Sequence, residues 1–264
     1  MLIIDGTTRR SRALAAATLL VMAGWPTPFA ADQLAADQPP AERHPVKVGS
    51  KGRPALVRLS KEYGVWFDLE RRLVVIDGEV SLREGPLELF ACLKNSKEHE
   101  SIVAVDAKAW LVHTALLLTG AQVGHPVQYD LKYVPAAGTA VDVLVLWMDK
   151  DKKRHRVHAR DWIRNVNTQK AMKGAWVFAG SGFYVDEETG RRFYLAEEGD
   201  LICVSNFTTA TLDLPIQSGQ DNANLLFEAF TERIPPRGTK VRIVLIPKLA
   251  KKKGKGRQNS GPQP

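Results

Sequence analysis

Short apolar runs separated by turn residues fill the centre of the chain, and their spacing predicts strands. Val65-Trp66-Phe67-Asp68 and Leu73-Val74-Val75-Ile76 flank the charged Glu70-Arg71-Arg72, the pattern of a hairpin. Two more strands are expected over 87–93 and 99–105, around Lys94-Asn95-Ser96-Lys97. One stretch departs from this rhythm. Residues 107–119 carry helical spacing, with Asp106 suited to the N-cap and Gly120 to the C-terminal stop. Further strands are read over 141–148, 154–157, 176–178, 182–185, 192–195, 201–204 and 241–246, with a short helix over 161–167. Gly190 and Gly199-Asp200 supply turns, and Pro235-Pro236-Arg237-Gly238-Thr239 breaks the chain before the last strand. Strands dominate, and the long helix is not part of a βαβ alternation. The expected fold class is therefore α+β, a mainly antiparallel β-sheet with one principal helix (about 107–119) and a short second helix.

The ends of the chain read differently from its centre. Arg9, Arg10 and Arg12 precede an uncharged, Ala/Leu-rich run over 13–25, the pattern of a signal peptide over 1–30. That run falls short of the about 20 apolar residues that span a bilayer. An uncleaved anchor is the competing reading. Ser11-Arg12-Ala13 lacks the apolar residue of a twin-arginine signal, which favours the general secretion route. Ala-Ala-Asp-Gln occurs at 30–33 and again at 35–38, followed by Pro39, Pro40 and Pro45, and residues 31–53 read as a disordered linker. A domain over 54–248 follows, then a basic disordered tail over 249–264. The net charge of +8 belongs to the ends. Lys248 and the lysines and arginine after it supply most of it, the leader supplies the rest, and the body between is neutral. No footprint for a nucleic-acid backbone remains. The tail can touch an anionic polymer or a membrane surface. The expected location is the periplasm or cell envelope.

Ionisable chemistry gathers at Lys97-Glu98-His99-Glu100-Ser101. If 87–93 and 99–105 form an antiparallel ladder turning between Asn95 and Ser96, Cys92 faces His99. That register would set a thiol beside an imidazole, the arrangement that activates a cysteine nucleophile. Cys92, His99, Glu100, Ser101 and His113 are the candidate catalytic residues, with Glu100 or His113 in support. The structural reading stands beside it. Buried cysteine behaves as a small hydrophobe, and His113, between Trp110 and Leu117 on the helix, is equally a core residue. Export would allow a Cys92–Cys203 disulfide, which would consume the thiol. His155 and His158 lie three apart on a strand and face opposite ways, so they share no metal. Two cysteines cannot ligate an iron–sulfur cluster, and no cofactor or metal is implied. Ala179-Gly180-Ser181-Gly182 lacks the spacing of a serine nucleophile turn, and Asn206-Phe207-Thr208 matches a glycosylation sequon.

Several segments, in this order, resemble the YdjY domain family of exported bacterial proteins. They are Leu87-Glu88-Leu89-Phe90-Ala91-Cys92, Lys97-Glu98-His99-Glu100-Ser101, and the helical run from His113 to Ala121. Trp176-Val177-Phe178-Ala179-Gly180-Ser181 and the run from Gly199 to Phe207 continue the resemblance. Ile234-Pro235-Pro236 and Gly238-Thr239 close it. The family carries the label ferredoxin-like, which implies an accessory protein of an electron-transfer complex without its own cluster. The residues themselves point first to a non-catalytic binding or interaction module of the bacterial cell envelope, with an unknown envelope protein or ligand as partner. A cysteine/histidine-dependent hydrolase or acyl transferase is the alternative.

Overall fold

Most of the strands join a single wall, and that wall closes on itself at Gly78. The computed structural model describes residues 56–130, 132–218 and 225–249. The expected leader, the linker and the tail beyond Leu249 lie outside the described residues. β1 (Val57–Arg58), β2 (Val65–Asp68) and β3 (Leu73–Val80) form an antiparallel meander. β4 (Leu89–Leu93) and β5 (Ser101–Val105) precede the helix α1 (Ala109–Leu118). A small ribbon pairs β6 (Val123–His125) with β7 (Ala137–Gly138), and a long hairpin pairs β8 (Ala140–Met148) with β9 (Arg154–His158). β10 (Ile163–Asn165) and β11 (Trp176–Phe178) lead to the hairpin of β12 (Phe183–Val185) and β13 (Arg192–Tyr194). β14 (Ile202–Cys203), β15 (Leu212–Asp213), β16 (Phe227–Ala229) and β17 (Lys240–Pro247) complete the order.

Eight of these strands pair in the circular order β3, β17, β8, β11, β15, β14, β4, β5 and back to β3. The closing contact pairs Gly78, Glu79 and Val80 with Val105, Ala104 and Val103. A Cβ at Gly78 would lie 2.9 Å from the Ala104 carbonyl oxygen and 2.9 Å from Val103 Cγ1. Only a glycine lets these strands approach that closely. Ile76, Ile243 and Val145 stand side by side in register, all in the interior core. Phe90 and Trp176 add an aromatic pair there, their ring centroids 5.9 Å apart. Alternate residues of the same strands, Val75, Val244 and Leu144, form a second apolar stripe on the outer face.

The fold class is therefore mostly β, a closed eight-stranded barrel with one α-helix among the described residues, and not an α+β sheet with a principal and a second helix. Closure depends on β3 meeting β5, a pairing that local periodicity does not carry. The short second helix is a 3₁₀ turn, Ala159–Trp162, followed by β10 paired to β16. Trp162 and Ile163 are both buried there, and Ile163 is β-branched and pairs across to Ala229. The principal helix begins at Ala109 with Lys108 at its N-cap, because Asp106 still bonds β3 through Asp77. Its C-terminus ends as expected. Gly120 at φ +94° donates to the Leu117 carbonyl and Ala121 to that of Leu116, closing a Schellman motif.

β4 and β5 pair in parallel, Cys92 opposite Ala104. The expected hairpin does not form. Both strands are buried at every position, the mark of strands covered on both faces rather than of a solvent-exposed hairpin. Residues 94–100 carry the chain back between them, and Glu98–Glu100 is a 3₁₀ turn where a strand was expected.

Candidate functional site

Two neighbouring regions hold the ionisable groups. The first is a polar layer laid on the outside of β4, β14 and β15 by the 94–100 connection and the segment after Gly199. The two meet so closely at Gly199, φ +121°, that a Cβ there would stand 2.6 Å from Ser96 Oγ. Lys97 Nζ donates to Asp200 Oδ1 at 2.7 Å and lies 4.5 Å from the Phe207 ring centroid. Thr209 Oγ1 donates to Asp200 Oδ2. Burial works against the Lys97 charge, but the bond and charge of Asp200 carry its pKa above the ordinary value. The Glu88 carboxyl lies close to that of Glu100. Burial first, then the Glu100 charge, raise the Glu88 pKa.

Beneath these charges lie both cysteines, in one apolar cluster with Leu89, Ala104 and Ala210. Both are buried and free. Burial raises the Cys92 thiol pKa, partly offset by hydrogen bonds from Ser101, the Lys97 backbone and Ser96. Cys203 is pushed further up by burial, then by Asp213 and Asp200. Asp213 is itself raised to about 7 by burial. Its Oδ1 accepts from the Leu214 N–H at 2.7 Å and from Asn206 Nδ2 at 3.3 Å, while its buried Oδ2 has no partner among the described residues. A neutral carboxyl is the form such an environment prefers.

The second region is a cleft of about 730 Å³ between α1 and the β12–β13 hairpin. On its inner side His113 Nδ1 lies 2.9 Å from Tyr194 Oη, and the His113 ring stands edge-on to Phe178. The Tyr194 hydroxyl donates to the Gly180 carbonyl, so we assign the imidazole Nδ1–H as donor to Tyr194. Burial lowers the His113 pKa and favours this neutral form. Trp110, Phe183 and Phe193 line the cleft and are about half exposed. Arg191 and Arg192 rise along it, and Glu197 closes the helix end, accepting the Trp110 N–H at 3.0 Å with Lys108 Nζ 3.8 Å away.

The structure thus brings Glu100 into the polar layer and leaves Cys92 and Ser101 buried, Cys92 in the apolar cluster beneath. His99 stays outside the layer, its side chain 77% exposed and 3.7 Å from Glu100. His113 belongs to the cleft. Glu88, Lys97, Asp200 and Asp213 were not among the candidate site residues, although Glu88, Lys97 and Asp200 stand in the quoted motifs. Lys97 and Asp200 are 103 positions apart, and only the barrel joins them. The cleft aromatics gave no signal, since Phe183, Tyr184 and Val185 read as an ordinary buried strand. Among the described residues no group of His, Cys, Asp and Glu is arranged to hold a metal ion. No helix of the described residues is long and apolar enough to cross a membrane. The family model of the YdjY domain matches residues 65–246. No curated protein and no solved structure matches the chain.

Proposed function

The chain belongs to the YdjY domain family, and we propose that it is an exported binding module of the bacterial cell envelope that recognises its ligand in the cleft between α1 and the β12–β13 hairpin. One observation carries this reading. The cleft exposes a cluster of aromatic side chains, Trp110 on α1 and Phe183 and Phe193 on the hydrogen-bonded hairpin. A monomer that left such a cluster to water would gain nothing from it, and rigid aromatic anchors are what binding sites use. The thiols support the same reading. An acyl-transfer cysteine needs an exposed thiolate beside a base, whereas Cys92 is buried opposite Ala104 with its pKa raised. The basic leader and the apolar run behind it support export.

Alkylation by iodoacetamide at pH 7 tests the non-catalytic part. Both thiols should react at least about a hundredfold more slowly in the folded protein than in urea. A folded-state thiol that reacts faster than a free cysteine, and loses that rate in His99→Ala, would restore the enzyme. Fractionation of cells producing the full chain tests location. Recovery of the unprocessed chain in the cytosol would remove the envelope from the proposal.

A further inference from the structure

We infer that the ligand of this cleft is an amphiphilic organic anion, a flat apolar body bearing a carboxylate or phosphate head; this rests on the binding role proposed above. The argument begins with charge. Lys108, Arg191 and Arg192 line the cleft, and the acid beside them, Glu197, is engaged with Lys108 and with the first turn of α1. Among the described residues neither arginine has a carboxylate partner. Each guanidinium lies instead on an aromatic face, Arg192 at 4.6 Å from the Phe183 centroid and Arg191 at 5.7 Å from that of Phe193. A guanidinium stacked in this way is held by the ring while its N–H edge stays free to fork onto an oxyanion. Phe183 and Trp110 supply apolar walls for the rest of the ligand, and about 730 Å³ suits a small organic molecule.

The other large cleft of the barrel shows what a merely structural arrangement looks like. It measures about 780 Å³ and is also lined by cations and a tryptophan. There Arg242 pairs with Asp77 at 3.0 Å, Lys240 with Glu79, and His155 with Asp149 at 2.6 Å. Three of its four cationic or imidazole side chains are thus answered by acids, and among the described residues Arg154 alone of the four is not. A lipid surface is a poorer occupant of the α1 cleft than a small anion, because the turn between β12 and β13 carries Asp186, Glu187 and Glu188, which repel an anionic bilayer.

Three probes of equal ring size separate the parts of this inference. They are 2-naphthoate, 2-naphthyl phosphate and 2-naphthol, which is neutral at pH 7, each titrated into the full chain at low ionic strength by calorimetry and by amide chemical shifts. The anions should bind at least about tenfold more tightly than naphthol. The Arg191→Ala, Arg192→Ala double variant should lose that preference and still bind naphthol. Trp110→Ala should weaken all three by similar factors, and the amide spectrum of each variant checks that it folds. Naphthol binding as tightly as the anions would overturn the anion inference and leave the binding role standing. Failure of all three to shift residues of α1 and the hairpin would overturn both. A tighter naphthoate or a tighter naphthyl phosphate would each support the inference and name the head group.

Discussion

The polar layer over β4, β14 and β15 and the cleft under the β12–β13 hairpin are built from similar residue types, and they use them in opposite ways. In the layer, Lys97 is answered by Asp200, Thr209 donates to the same carboxylate, and both thiols are sealed below. In the cleft, two arginines have no carboxylate partner among the described residues and the aromatic rings face water. Charges that satisfy each other hold connections in place. Charges left over wait for something else. The layer should therefore govern stability and its pH dependence, and the cleft should govern binding alone.

Asp213 offers the largest test of the first half. Its carboxyl titrates near 7 when folded against an ordinary 3.8. The folded state then binds more protons than the unfolded chain between those values. Stability from this group is whole below about pH 4 and is lost as pH rises toward and past 7. Three pH units correspond to about 4 kcal/mol as an upper bound. Asp213→Asn should flatten that loss and, at pH 8, melt at a higher urea concentration than the parent. A variant as pH-sensitive as the parent would show that the buried carboxyl is not the group that titrates.

Removing the cation of the layer comes next. Lys97→Met takes the partner from an almost fully buried Asp200 and leaves it near Glu88 and Glu100. Breaking a buried pair costs about 3–5 kcal/mol, and Lys97, itself a quarter exposed, puts the expectation at the lower end. Urea unfolding at pH 7 measures it. A change below about 0.5 kcal/mol would reduce the pair to a surface ion pair. Gly199→Ala should follow, at about 2 kcal/mol, since its φ of +121° is strained for alanine and its Cβ would strike Ser96 Oγ. Adding Ser96→Gly should recover the clash and not the strain.

The sequence made one half of this comparison easier to see than the other. The hairpin of β2 and β3 was legible because charged Glu70-Arg71-Arg72 separates two apolar runs, and the end of α1 because Gly120 takes the one conformation its neighbours penalise. Closure was not legible, since nothing near Gly78 announces that Val103 and Ala104 will press against it. The same non-local pairing turned β5 parallel to β4 and left His99 in a 3₁₀ turn, away from Cys92. Cys92, Glu100 and Ser101 were noticed because they sit in two short neighbouring motifs. Asp200, the partner of Lys97, enters from a segment 103 positions further along the chain. The cleft was harder still, because exposed Phe183-Tyr184-Val185 has the composition of a core strand and only three-dimensional context shows it facing water.

The smallest expected effect on stability is also the sharpest test of the contrast. Arg191 and Arg192 make no ion pair among the described residues, and their contacts are cation–π stacks on half-exposed rings, worth about 0.5–1 kcal/mol at such sites. Replacing one of them, Arg192→Ala, removes the closer stack and no buried hydrogen bond, so the urea midpoint should move by no more than about 1 kcal/mol equivalent. Lys97→Met removes a single positive charge too, and should move it several times further. If the arginine proved as costly as the lysine, its guanidinium would be part of the scaffold and unavailable to a ligand. If it proved neutral for folding while naphthoate binding fell about tenfold, one positive charge on this barrel would hold the fold and the other would serve recognition.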